Sequence, residues 1–272
     1  MTDPRISRET SDLDGDELLL RVADGIAHLT INRPARKNAI TRAMWLAIAE
    51  RIAELGGDGG VRVLVLSGAG GNFSAGADIG EFDTVRRDAE TARDYERANS
   101  AAFAAVRDAP FPVIAAIEGI CFGGGFGLAA ACDIRIGGQG ASFSVPAAKL
   151  GLAYPQDAMI DIVSALGPQL ARYLAYSAAR IEAPTAHETG FLMELCDAGG
   201  ALARAEAIAE AIAANAPLSI RASKLSIRAV VAGSERLAGE ATRMGDTTFD
   251  SADYAEGRAA FREKRSPKFS GS

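Results

Sequence analysis

The spacing of apolar residues changes twice along the chain. Residues 1–16 are polar and aperiodic, with four aspartates and two arginines, and read as a mobile arm with little to bury. From Glu17 to Ile31, two β-rich stretches flank Asp24-Gly25, a dipeptide that favours a hairpin turn. Thr41 to Leu55 places Met44, Trp45, Ile48, Ile52 and Leu55 at helical spacing, with Thr41 as N-cap and Gly56-Gly57 as the stop. Val61–Ser67 and Val113–Ile117 are largely apolar and rich in β-branched residues, which predicts strands buried on both faces. A polar helix is expected over 88–108, a helix over Leu128–Cys132 and a strand over Ile134–Ile136. From Asp157 onward the sequence is helical and alanine-rich. Helices are expected near 157–166, 168–177, 185–190, 201–214, 218–231, 235–250 and 252–264. Early strands and late helices predict an α/β core over 17–200 and a helical C-terminal region over 201–272.

Two glycine-rich loops interrupt this pattern, each after a buried strand and before a helix. The first runs from Gly68 to Gly80 and contains Asn72-Phe73-Ser74-Ala75-Gly76-Ala77-Asp78-Ile79. The second runs from Gly119 to Gly127 and contains Gly123-Gly124-Gly125. Glycine lets the backbone turn sharply and lets a ligand come close, and the first turn of a helix has N–H groups without internal partners. Two such loops side by side would aim two main-chain N–H groups at one oxygen, an oxyanion hole. Tight packing alone also explains either loop. A dinucleotide fingerprint fails on spacing, because Leu128 and Ala130 stand where glycine is needed, and no P-loop Gly-Lys-Ser/Thr is present.

Composition narrows the classes further. The 272 residues are 48% hydrophobic and 24% charged, enough to bury a sizeable core. A net charge of −6 argues against nucleic acid as a partner. No apolar run approaches the roughly 20 residues that span a bilayer, and the first residues do not read as a signal peptide. Cys121, Cys132 and Cys196 lie far apart and read as free thiols of a reducing, cytoplasmic setting. His28 and His187 are the only histidines, so no multi-histidine metal site is expected.

Taken in order, several motifs resemble the crotonase (enoyl-CoA hydratase/isomerase) superfamily. They are Ile31-Asn32-Arg33-Pro34 with Lys37-Asn38-Ala39, then Phe73–Ile79, then Gly123-Gly124-Gly125 with Ala131–Arg135. Phe143, Pro146 and Leu150-Gly151-Leu152 follow, and the last is Phe261–Phe269. The resemblance covers nearly the whole chain. It implies a spiral of ββα units, C-terminal helices that build a homotrimer or hexamer, and an acyl-CoA thioester as substrate, with no permanently bound cofactor. It implies that the N–H groups of Ala77 and Gly124 hold the thioester oxygen. Ala75, Asp78 and Ile79 would lie near the adenine or pantetheine arm, and Lys264 or Lys268 would reach a CoA phosphate of the same or a neighbouring subunit; a solvated tail explains these lysines equally well.

The sequence departs from that family where its hydratases carry two glutamates, for here the aligned positions are Gly127 and Ala147. A well-placed acid or base contributes typically about 10²–10⁴ in rate, so hydration is expected to be weak. The position where some isomerases and dehalogenases carry an aspartate holds Pro155, flanked by Tyr154 and Asp157. Either could carry a proton, although Asp157 also reads as a helix cap. Glu81 and Asp83 read as exposed, Glu118 as a supporting or simply paired group, His28 as half-buried and structural, and His187 as a surface residue. Cys121 and Cys132 read as small buried hydrophobes, and Trp45 and Met44 as core. The expected function is an enzyme that stabilises a thioester enolate. The alternatives are a module that binds acyl-CoA with little catalysis, or an isomerase, decarboxylase or thioesterase using Asp157 or Tyr154.

Overall fold

The computed structural model of the chain describes residues 8–10 and 17–272. Strand β1 (Arg8–Thr10) pairs antiparallel with β2 (Leu18–Ala23), and β2 with β3 (Ile26–Ile31). The rest of the stretch read as an arm lies outside the described residues. Asp24 and Gly25 join β2 to β3 with φ of 51° and 79°, both positive, as a two-residue turn matching the strand twist requires. Helix α1 (Arg42–Asp58) is capped by Thr41, whose hydroxyl accepts from the Met44 N–H. The stop expected at Gly56-Gly57 is corrected: both glycines continue the helix, and Gly59 ends it with φ 67°.

Strand β4 (Val63–Gly68) leads into the first glycine loop, then α2 (Phe82–Val85) and α3 (Ala89–Asp108). Asp88 caps α3 by accepting from the Glu90 and Thr91 N–H groups, with Thr91 reaching back to complete a capping box. Then come β5 (Val113–Ile117), β6 (Ile120–Phe122), α4 (Gly124–Ala131), β7 (Ile134–Gly138) and β8 (Ser142–Ser144). Two expectations fail here. Gly119–Gly127 is not all loop, since it contains β6, and the helix expected from Leu128 begins at Gly124. Intrinsic propensity argues against a glycine-rich helical turn, but packing overrides it. A Cβ on Gly124 would lie 2.8 Å from Trp45, and one on Gly125 would lie 2.7 Å from Ser74.

The chain continues through α5 (Gln156–Ser177), β9 (Arg180–Glu182), α6 (Ala183–Glu188), β10 (Glu194–Cys196) and α7 (Ala201–Ala213). It closes with α8 (Pro217–Ala232), α9 (Glu235–Thr247) and α10 (Ala252–Glu263). Helix α5 bends at Gly167, whose φ of 71° and ψ of 160° are not helical, just before Pro168. The two separate helices expected there are the two arms of this bent helix.

The strands form a seven-stranded sheet in the order β1-β2-β3-β4-β5-β7-β10 and a three-stranded sheet in the order β6-β8-β9. The units β5-β6-α4 and β7-β8-α5 each give one strand to each sheet and then a helix, which is the spiral the resemblance implied. From β3 to β10 the neighbours in the larger sheet run parallel, so both faces must be covered. Leu64, Leu66 and Ala115 face the main core with Trp45, Phe103 and Phe126. Val63, Val65, Ile114 and Ile136 face the other way, against Ala201, Ala205 and Ala209 of α7. Alanines one turn apart let α7 lie close on the sheet. Arg62 turns aside from the strand and donates to the Ala213 and Phe269 carbonyls at 2.8 and 2.7 Å, tying the C-terminal segment to the sheet.

At the end of β4, Gly68 has no room for a side chain, because a Cβ would lie 2.1 Å from the Asn72 carbonyl oxygen and 2.3 Å from that of Phe73. The Gly68→Ala variant should therefore cost about 3 kcal/mol, the upper end for overpacking, since main-chain atoms are in the way. Urea unfolding measures this, and a loss under about 1 kcal/mol would show that the loop yields.

Candidate active site

The first loop is held by side chains that bond main-chain groups. Asn38 is fully buried; its amide donates to the Ala69 and Asn72 carbonyls at 2.8 and 2.6 Å and accepts from the Arg33 N–H at 2.9 Å. Ser74 Oγ donates to the Asn38 carbonyl at 2.7 Å and accepts from the Gly76 N–H at 3.0 Å. Ile40 then forms a parallel bridge around Ala77, donating to the Gly76 carbonyl at 2.8 Å and accepting from the Asp78 N–H at 2.9 Å. In such a bridge the residue between the two bonded neighbours turns its own N–H away. That residue is Ala77, and no hydrogen bond among the described residues uses its N–H.

In the second loop, Gly123 has φ 51° and donates to the Ser144 carbonyl at 2.9 Å. Gly124 is the first residue of α4, so its N–H has no partner within the helix. The two loops touch backbone to backbone. A Cβ on Gly76 would lie 2.9 Å from the Gly124 nitrogen, and one on Gly124 would lie 3.7 Å from the Ala77 nitrogen.

These loops form one wall of a pocket of about 90 Å³, to which Ala75, Ala77, Ile79, Gly123 and Gly124 contribute. Ala147, Leu150, Leu152 and Tyr154 also line it, as do Arg86, Glu96 and Asn99. A larger groove of about 960 Å³ runs along α5 and α8 but includes neither glycine loop.

Thus Ala75, Ala77, Ile79, Gly124 and Tyr154 are brought together. The remaining candidates do not line this pocket. Asp78 pairs with Arg33 at 2.8 Å and accepts from the Gly80 N–H. Burial pushes its carboxyl up, but the Arg33 hydrogen bond, the Gly80 N–H and the charges of Arg33 and Arg36 prevail and hold it below the usual range. Asp157 lies in the first turn of α5, accepting from Ser100 Oγ at 3.1 Å. It does not cap that helix, whose N-cap position is Pro155. Within one chain, Lys264 ends α10 in the left-handed conformation, and the Lys268 N–H donates to Glu256.

The other residues weighed in the sequence have structural partners. Glu81 accepts from the Arg42 N–H at the start of α1, Asp83 is exposed, and Glu118 accepts from the Ala201 N–H at the start of α7. His28 is half-buried beside Glu206, and burial lowers its pKa. His187 is exposed, Cys121 and Cys132 are buried, and Trp45 and Met44 are core residues. Among the described residues no group of three or more His, Cys, Asp or Glu is placed to hold a metal, and no helix is long and apolar enough to cross a membrane.

Tyr154 accounts for the missing first glutamate. Its hydroxyl donates to the Gly123 carbonyl at 2.7 Å, and burial pushes its pKa far up. A Cβ on Gly127 would lie 2.5 Å from that hydroxyl and 2.6 Å from the tip of the Phe103 ring. The two stacked rings fill the space into which a side chain at 127 would project. The residues that sequence reasoning missed are Arg86, Glu96 and Asn99. They sit in and just before a helix whose polar composition reads as solvated, and no local motif marks them.

A strand spiral whose two glycine loops meet at one pocket defines a class of fold, and the comparisons agree with it. The profile of the family described as enoyl-CoA hydratase/isomerase matches residues 21–272. Enoyl-CoA hydratase EchA19 of Mycobacterium tuberculosis is 33% identical over 244 residues, covering 89% of this chain and 91% of that one. The mitochondrial Delta(3,5)-Delta(2,4)-dienoyl-CoA isomerase of Mus musculus is 31% identical over 235 residues, covering 82% of this chain and 72% of that one. A crystal structure of an enoyl-CoA hydratase/isomerase family protein from Hyphomonas neptunium superposes with a TM-score of 0.89 at 35% identity, covering 94% of this chain and 98% of that one. The chain belongs to the enoyl-CoA hydratase/isomerase family, within the crotonase superfamily.

In most helix interiors, Gly→Ala stabilises by about 1 kcal/mol. Gly127→Ala should instead destabilise by about 1–2 kcal/mol, because the added methyl meets two buried ring tips. The penalty should shrink in a Tyr154→Phe background, which removes the nearer atom. A double-mutant cycle on unfolding free energies reads both effects.

Proposed function

We propose that this protein binds an acyl-CoA thioester with its carbonyl oxygen between the N–H groups of Ala77 and Gly124, and activates the acyl chain by stabilising the enolate that forms when Cα loses a proton. CoA enters as part of the substrate, and no resident cofactor or metal takes part. The observation that carries this reading is the pair of unpartnered main-chain N–H groups, from separate loops, lining one pocket. Negative charge on the oxygen grows toward the enolate, so fixed donors stabilise the transition state more than the bound ester. In other oxyanion holes one such donor contributes roughly 3–4 kcal/mol.

The reaction is one of proton transfer, and hydration is weak. Gly127 and Ala147 hold no acid, and Tyr154, whose hydroxyl is bonded and whose pKa is pushed up, orders the wall of the pocket. The family relation to a dienoyl-CoA isomerase agrees with a shift of double bonds. Ala75 and Ile79 flank the entry of the pantetheine arm, and Asp78 fixes their loop through Arg33. A second reading, an acyl-CoA-binding module without turnover, is supported by the same two missing acids. Assembly as a homotrimer or hexamer fits the exposed apolar residues of the C-terminal helices, including Ile227, Val230 and Phe261.

Titration calorimetry with butyryl-CoA and its thioether analogue, which lacks the carbonyl oxygen, tests the oxyanion contact. Two hydrogen bonds of ordinary strength predict that the thioether binds about 1–3 kcal/mol more weakly, roughly 5- to 150-fold. Equal affinity would sink the reading. Hydration of crotonyl-CoA should be slower than in a relative carrying both glutamates by at least about 10⁴-fold, as the loss of two acid–base groups implies.

A further inference from the structure

The geometry points to Glu96 as the carboxyl that carries the Cα proton of a thioester bound in this pocket, with the Asn99 amide one helical turn away lining the same pocket. This rests on the reading of the pocket as a thioester site. Among the residues that line the pocket, Glu96 is the only carboxyl. Its Oε1 accepts from Arg86 at 2.5 Å, and no hydrogen bond among the described residues uses Oε2. One oxygen therefore holds the group in place while the other is left to take a proton.

The support for Glu96 is rigid and tied to the oxyanion loop. The Arg86 guanidinium lies against two aromatic rings that meet edge to face, 4.5 Å from the centre of Phe82 and 4.2 Å from that of Tyr95. The Tyr95 hydroxyl accepts from Trp45 Nε1 at 2.9 Å and donates to the Ile40 carbonyl at 3.3 Å. Ile40 is the residue whose bridge turns the Ala77 N–H outward. Base and oxyanion donor are thus positioned from one residue, as precise proton transfer requires. Burial raises the Glu96 pKa and strengthens it as a base, while Arg86 favours its ionised form.

A second observation marks the place independently. Among the described residues, only two buried side-chain polar atoms lack a hydrogen-bond partner, Arg86 Nε and Asn99 Oδ1. Both belong to residues that line this pocket. Asn99 is only 6% exposed, and its Oδ1 accepts no hydrogen bond among the described residues. A buried amide oxygen of this kind costs about 1–3 kcal/mol if it stays unpaired, and a hydrogen-bond donor on a bound ligand would pair it.

The chemistry balances without a co-reactant. The Cα–H bond breaks and its proton passes to Glu96 Oε2. The electron pair moves onto the thioester oxygen, which Ala77 and Gly124 hold. Return of the same proton to Cα gives back the starting thioester. Return to Cγ of a 3-enoyl thioester moves the double bond into conjugation. A single carboxyl suffices for this shift, whereas water addition would need a further group to activate the water.

The test follows solvent deuterium entering Cα of butyryl-CoA by mass spectrometry, beside calorimetric binding of the same compound. Glu96→Gln should bind within threefold of wild type and exchange at least about 100-fold more slowly. Glu96→Asp should retain more exchange than the Gln variant. Exchange by Glu96→Gln within threefold of wild type, or binding by wild type with no exchange, would overturn the role of Glu96 and leave the thioester reading standing. Failure of wild type to bind butyryl-CoA would instead remove the thioester reading, and this inference with it. If the Gln variant does not fold, the Asp variant decides alone: a fall of tenfold or more supports the assignment, and wild-type exchange overturns it.

Discussion

The site depends on the contact of two stretches of main chain with no side chain between them. Gly76 meets Phe122–Gly124, Gly125 meets Ser74, and Gly124 meets the edge of Trp45, each so closely that a Cβ would lie under 3.0 Å from its neighbour. Such a contact brings few apolar atoms together, so hydrophobic burial cannot set its geometry. Hydrogen bonds do so. Asn38 and Ser74 bond to the main chain from both sides of the first loop, and the Ile40 bridge turns one N–H outward. With Asn38 fully buried, these bonds form where no water competes for them, and loss of one would leave a buried polar group unpaired.

Around this knot the burial is conventional, and the sequence shows it. A parallel sheet covered on both faces reads as continuous apolar runs, and β4 and β5 were legible for that reason. Helix α7 was legible from alanines at 201, 205 and 209, because a helix packed close on a sheet needs small residues on that face. The β2–β3 hairpin was legible in Asp24-Gly25, since few dipeptides accept positive φ at both positions. The errors fell where tertiary contacts override propensity. Gly56-Gly57 continue a helix that already buries Trp45 and Ile48, and Gly124, Gly125 and Gly127 lie in the first turn of one where a Cβ at those three positions would collide.

The candidate site was half legible. Main-chain donors leave a mark in sequence because they need glycine at fixed places, and the two loops carry that mark. A side chain that acts from a helix leaves none. Glu96 sits among Arg93, Asp94 and Arg97 on a helix rich in charge, and composition cannot separate it from its solvated neighbours. What separates it is the fold. Tyr95 packs into the core beneath it, Arg86 returns from the preceding loop, and Tyr154 and Phe103 fill the space beside Gly127. The absence of an acid at 127 and the presence of a ring at 154 belong to one packing solution, although in sequence they are unrelated.

The energetics of the pocket point the same way. A partly buried ion pair is a poor source of stability, because desolvating both charges offsets much of their attraction. The Arg86–Glu96 pair is in this position, with an arginine nitrogen left unpartnered beneath it and an unpartnered amide one turn away. Apolar residues of similar size would satisfy the core at lower cost. The rest of the described side chains show that this chain otherwise pairs its buried polar atoms, so the exceptions are local and are not a general looseness of packing. A fold whose described buried side-chain polar atoms are paired except for two at the pocket that Ala77 and Gly124 line places its instability where a bound molecule would relieve it.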